Sequence, residues 1–140
     1  MTLLTLIVDD DKISTHLTRA ALQRHGLCHS FETAANGKEA IRYLEYCLEK
    51  NTVLPSIIML DLNMLGGDGW QFLADYKQLE PKLKQHIHIF ILSSFLNTEE
   101  YEKAYHNVLV SAFFSKPLVK QDMEEIQSIV QSKKVVIDLQ

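Results

Sequence analysis

The chain alternates short apolar runs with blocks of helical period, and almost none of its 140 residues fall outside that alternation. "LLTLIVD" (Leu3 to Asp9), "CHSFETAAN" (Cys28 to Asn36), "SIIML", "IHIFILSS" and "LVSAFFS" read as strands, the second more polar than the rest. From Lys12 to about His25, Ile13, Leu17, Ala20, Ala21 and Leu22 recur at helical spacing, and Gly26 is a helix stop. After the turn signal Asn36-Gly37, Ala40, Ile41, Leu44, Cys47 and Leu48 trace one face of a second helix. Asp68 to Leu79 is a third, its face including Trp70, Leu73 and Tyr76, ending near Pro81. Asn97 to His106 is a fourth, with Asn97 and Glu100 spaced as in a capping box. Val119 to Ser132 is a fifth, carrying Met123, Ile126, Ile129 and Val130 on one side.

Mainly continuous apolar strands alternating with helices predict an α/β fold, a five-stranded parallel sheet wound with helices on both faces. Such a sheet brings the C-terminal ends of its strands to one edge, where ligand sites form. The pattern makes residues 1–140 a single domain, with a core of about 3–132 and a tail, "KKVVIDLQ", over 133–140. The tail is mildly apolar; docking on a partner or on its own domain, and disorder, both stay open.

A net charge of −4 argues against a phosphate-backbone binder, so no nucleic-acid partner is expected. Cys28 and Cys47 show neither metal spacing nor a disulfide framework and read as buried free thiols. No apolar run approaches the roughly 20 residues that span a bilayer, and "MTLLTLIVDDD" lacks the basic start of a signal peptide. A cytoplasmic protein without membrane insertion is the expectation.

The predicted sheet edge gathers unusual chemistry. Strand one ends on Asp9 and Asp10 with Asp11 next, strand three on Asp61, strand four on Ser93 and Ser94, and strand five on Lys116 before Pro117. Two carboxylates ~6 Å apart repel by roughly 3 kcal/mol at an effective dielectric of 20. A cluster of them needs a counter-cation, and one lysine supplies a single charge. Mg²⁺, which takes a few carboxylates, several waters and a phosphoryl oxygen, suits the remainder. Gly66, Gly67 and Gly69 let the chain fold tightly around Asp61.

"LIVDDD", "IIMLDLNMLGGDG", "FILSS" and "FFSKPL" together resemble, in order and spacing, the receiver domain of bacterial two-component response regulators. "AANGKEA" is similar to that family's usual lead-in to its second helix, and the likeness spans about residues 3 to 132. The resemblance implies a flavodoxin-like sheet of order 2-1-3-4-5. It implies phosphoryl acceptance on Asp61 from a phosphohistidine on a histidine kinase or histidine phosphotransfer protein. Mg²⁺ would be held by Asp9, Asp10, Asp61 and the backbone carbonyl of Asn63. Ser93 would bond a phosphoryl oxygen, Lys116 would pair with Asp61 and then with the phosphoryl group, and Ser93 with Phe113 would form the switch. The output would be a changed helix four, strand five and helix five surface for a downstream protein, or onward phosphotransfer, from a monomer or a phosphorylation-dependent dimer. With nothing but the tail after helix five, a stand-alone receiver is expected, a signalling phosphoacceptor rather than an enzyme on small substrates. Leu65 stands where the family usually has proline, and Phe95 where it tunes phosphate lifetime.

Other readings of the same residues are weaker. "DLNMLGGDG" begins like a calcium loop, but Phe72 stands where an EF-hand needs glutamate. "VDDDK" hints at an aspartate-nucleophile phosphatase, against which the position of Asp61 weighs. A receiver-shaped module that no longer takes phosphate is the remaining alternative. His86 and His88 alternate along a strand and read as exposed edge residues rather than metal ligands, while Trp70, Phe72, Tyr76, Phe90 and Phe114 read as packing residues.

Overall fold

A computed structural model describes residues 3–64, 69–94 and 97–139, with side chains described as far as residue 132. Its elements run β1 (Leu4–Val8), α1 (Lys12–Arg24), β2 (Ser30–Ala34), α2 (Gly37–Lys50), β3 (Ile57–Leu60), α3 (Gly69–Leu79), β4 (His88–Ser93), α4 (Thr98–Tyr105), β5 (Val110–Ser115) and α5 (Lys120–Leu139). A 3-10 turn over Glu80–Lys82, with Pro81 in it, closes α3. The strands form one parallel sheet in the order β2-β1-β3-β4-β5, as expected.

Strand periodicity divides the apolar residues between two cores. Leu6, Val8, Ile58, Leu60, Ile89 and Ile91 face Ala40, Leu44, Phe72 and Tyr76 of α2 and α3. Ile7, Ile57, Met59, Phe90 and Leu92 face the other way, against Leu22 of α1 and Met123 and Ile126 of α5. Each such side chain, fully buried, contributes about 1.5–3 kcal/mol. Both sheet faces are therefore committed to packing, and the strand ends are left for chemistry. Cys28 and Cys47 are buried free thiols, as read, and Thr5 donates to Cys28 Sγ at 2.8 Å. Among the described residues no helix is long and apolar enough to cross a membrane.

Helix starts follow side-chain caps. The Asp11 carboxylate accepts from the amides of Ile13 and Ser14, Asn36 from Glu39, and Asn97 from Glu100. Asn36-Gly37 is thus the lead-in to α2 itself rather than a free turn, because the asparagine finds an orphan helix amide to cap. Gly26, at φ 70°, follows α1 in the left-handed conformation that ends a helix.

Three expectations need correction or extension. Ile13 and Leu17 keep helical spacing but are 73% and 55% exposed; only Thr18, Ala21 and Leu22 of α1 are buried. The histidines are not both exposed edge residues: His86 precedes β4 and is exposed, whereas His88 is its buried first residue, stacked near Phe90 in a strand flanked by β3 and β5. Helix α5 continues through Leu139, so 133–139, for which docking and disorder both stood open, is helical backbone. Leu65, Gly66, Gly67, Asp68 and Phe95 lie outside the described residues.

Candidate functional site

Parallel pairing sets the site. Asp9 and Asp61 follow adjacent strands, held level by amide bonds from Asp9 to Ala34 and from Asp61 to Val8, each 3.0 Å. Both residues are buried, at 6% and 5% exposure, while Asp10 reaches solvent. One oxygen from each of Asp9, Asp10 and Asp61 lies within 4.8 Å of the others. Asp11, the third acid of the run, is not part of this group, because its carboxylate caps α1.

The lysine arrives from the far side of the sheet. Ser93 pairs with Ser115, and the Lys116 amide continues the ladder to the Ser93 carbonyl at 2.9 Å. From there the ammonium donates to Asp9 Oδ2 at 2.9 Å and to Asp61 Oδ2 at 3.2 Å. The Lys116–Pro117 bond is cis.

The two buried acids differ in what offsets their burial. Burial pushes the Asp9 carboxyl up, but the Ser14 hydroxyl at 2.6 Å, the Asp11 amide at 2.9 Å and the Lys116 ammonium outweigh it and hold the group below its ordinary value. For Asp61 burial wins over the Asn63 amide at 2.9 Å and Lys116, and the neighbouring Asp9 charge adds to it, so this carboxyl is pushed up. Lys116 loses some basicity to burial and recovers more from the two acids, ending above its ordinary value. The surroundings of Asp9 therefore favour its charge, whereas burial disfavours the charge on Asp61.

Three carboxylates against one ammonium leave the cluster two charges negative. The donors are all oxygen, and Asp10 opens the group to water. That set fits a hard divalent cation that keeps several waters, and thus fits Mg²⁺.

Ser93 ends β4 beside the acids, whereas Phe113, two residues before the end of β5, lies on the α4 side. The Ser93 hydroxyl donates to the side-chain oxygen of Asn63. Phe113, half-buried, meets Tyr101 of α4 edge-on, with ring centroids 4.5 Å apart. Gly69, where α3 starts, accounts for the one described glycine near the acid. A Cβ there would lie 2.9 Å from the Asp61 carbonyl oxygen and 2.8 Å from Leu62 Cδ2, so only glycine lets α3 start this close. Four side chains near the site were not legible as such in the sequence. The Ser14 hydroxyl and the Asn63 side chain carry polar types common in loops and caps. Ile13 and Leu17 were indistinguishable from core positions by spacing alone.

A response regulator receiver domain model matches residues 5–130. The chain is 29% identical over 126 residues to the probable methanogenesis regulatory protein FilR2 of Methanothrix harundinacea, spanning 87% of this chain and 79% of that one. To the response regulator Rcp1 of Synechocystis it is 27% identical over 128 residues, spanning 91% and 85%. A crystal structure of Rcp1 in its Mn²⁺-bound form superposes with a TM-score of 0.69 at 28% identity over 91% of each chain. A two-component response regulator from Cytophaga hutchinsonii superposes with a TM-score of 0.85 at 26% identity, over 94% of this chain and 99% of that one. With the acids, hydroxyl and lysine assembled on one sheet edge and a family model spanning most of its length, the chain belongs to the response regulator receiver domains of two-component signalling.

Proposed function

We propose that this chain is a phosphorylation switch in which Asp61 accepts a phosphoryl group from a phosphohistidine on a histidine kinase or phosphotransfer protein. The observation that carries the reading is the pair of hydrogen bonds that Lys116 donates to Asp9 and Asp61, with Asp10 beside them. In the transfer, an Asp61 carboxylate oxygen bonds to phosphorus while the phosphorus–nitrogen bond of the donor breaks. The leaving imidazole takes a proton from solvent. Lys116, already against Asp61, moves its charge onto a phosphoryl oxygen, and Ser93 turns its hydroxyl from Asn63 to another. Asp9, Asp10, Asp61 and the Asn63 carbonyl would hold Mg²⁺; the similar Rcp1 has been crystallised in a Mn²⁺-bound form. When bound, the ion supplies the positive charge that draws phosphoryl oxygens into an otherwise anionic site. Water attacking the phosphorus of the acyl phosphate releases phosphate and restores the carboxylate.

The donor needs a surface beside Asp61. Ile13 and Leu17 line a cavity of about 330 Å³ with Ser94, Lys116 and Pro117, next to the acids, and their exposed apolar pair suits a donor helix. The output side is separate. Tyr101, Tyr105, Val110, Phe113 and Glu125 line a cavity of about 360 Å³ on the face of α4, β5 and α5, the surface we assign to a downstream protein. Inward movement of Phe113 would draw on its contact with Tyr101 and reshape that face, a population shift. The domain works in the cytoplasm on this reading, as a monomer or a phosphorylation-dependent dimer. With acetyl phosphate and Mg²⁺, wild-type protein should gain one phosphoryl group by intact mass spectrometry, and Asp61→Asn or added EDTA should prevent it. Labelling that survived both would sink the assignment.

A further inference from the structure

The groove between α3 and α4 lies outside the phosphorylation site and outside the α4, β5 and α5 face, and holds a cavity of about 540 Å³. Its floor is apolar, built from Trp70, Leu73 and Leu109. Its rim carries Lys77 and Lys103. Lys103 Nζ sits 4.5 Å from the centre of the Trp70 ring, and among the described residues neither lysine has a carboxylate within ion-pair range. His106 also lines the groove and has Glu102 3.5 Å away, the one acid paired with the lining. In a chain of net charge −4, two lysines flanking an indole with no acid of their own form a local inversion of charge.

We infer that the α3–α4 groove docks an acidic segment of a partner protein, with an apolar side chain seated on Trp70 and Leu73 and carboxylates on Lys77 and Lys103. Charge complementarity selects the sign of the partner: an acidic segment is drawn to this rim and repelled by most of the remaining surface. The openness of the site selects a chain segment over a small ligand. Small molecules lose most of their surface to an enclosing pocket. Here Val108, on the rim, stands 93% exposed, and the space is a trough between two helices. The exposed Lys103 ammonium, held over the indole, also gives a carboxylate a positioned partner.

The test uses a peptide-display library selected on the full chain, metal-free and unphosphorylated, so that its outcome is independent of any role for Asp61. Enriched peptides are then synthesised and titrated by calorimetry. Trp70 is the only tryptophan, and its emission reports binding at the groove. Enriched peptides should combine acidic residues with an apolar anchor, change Trp70 emission, and lose tenfold or more in affinity for Lys77→Glu/Lys103→Glu. The second variant, Val108→Asp, alters an almost fully exposed side chain and should also weaken binding while leaving the melting temperature unchanged. Failure to enrich acidic peptides, acidic binders indifferent to both variants, or complete displacement of the peptide by inorganic phosphate would each overturn the proposal, the last in favour of a small-anion site.

Discussion

Ser93, at the end of β4, donates its hydroxyl to the side-chain oxygen of Asn63, two residues past Asp61. The hydroxyl at the end of β4 and the loop that carries Asp61 are therefore joined in this state. On the proposed reading, activation exchanges that bond for one to a phosphoryl oxygen, and the resting bond is a brake.

Asn63→Ala removes the brake and keeps the backbone carbonyl proposed to face the metal. A neutral hydrogen bond is worth ~1 kcal/mol net, so beryllofluoride in the presence of Mg²⁺ should bind about fivefold more tightly. A fluorescence or calorimetric titration reads this directly. Unchanged affinity would mean that Ser93 is not restrained by Asn63.

Ser14→Ala tests how Asp9 is kept ionised. The Asp9 carboxyl titrates below its ordinary value of 3.8, so its contribution to stability is complete above that value and is lost as pH falls through the depressed one. Taking away the 2.6 Å hydroxyl bond should move the acid limb of the stability curve to higher pH and cost about 1.5 kcal/mol near neutrality, the lower range for bonds to a charged group. Chemical denaturation across the acid range measures both.

Asp61 has the opposite sign. Its carboxyl is pushed above 3.8 by burial, so ionising it in the folded state costs stability, and the cost appears as pH rises through the raised value. Asp61→Asn should stabilise the metal-free domain at neutral pH and not below pH 3. Each kcal/mol corresponds to about 3 °C in melting temperature for a domain of this size. Adding Mg²⁺ should raise the wild-type melting temperature more than that of the variant, since binding to the folded state alone adds stability. An equal response of the two proteins to Mg²⁺ would remove Asp61 from the metal site.

The sheet was legible because its signals are local and redundant. Asp9, Asp61, Ser93 and Lys116 each follow an apolar run, and parallel pairing brings such positions to one edge whatever the helices do. What stayed hidden depends on relations between elements. Asp11 looks the same as Asp9 and Asp10 in sequence, and only the start of α1 decides that it caps a helix instead of joining the cluster. Ser14 meets Asp9 because α1 turns back over the end of β1, a bend that periodicity does not encode. Leu17 and Leu22 have equal hydrophobicity, yet one is exposed and the other fully buried, since burial follows where the helix crosses the sheet. His88 was misjudged for the same reason: β4 is an inner strand, and strand order is not a local property.

The exposed pair on α1 separates docking from chemistry. Ile13→Asp and Leu17→Glu replace side chains that are 73% and 55% exposed, so neither should disturb the core. Acetyl phosphate is small and reaches Asp61 without a docking surface, whereas a phosphohistidine protein must seat against one. The double variant should take phosphate from acetyl phosphate at the wild-type rate and from a phosphorylated histidine phosphotransfer protein at least tenfold more slowly. Apolar contacts of this kind contribute ~1 kcal/mol or more apiece, and two of them account for a loss of that size. Parallel time courses with the two donors, followed by intact mass, make the comparison. Loss with both donors would point to damage at the Lys116 side of the cavity, and loss with neither would move the donor to another face of the domain.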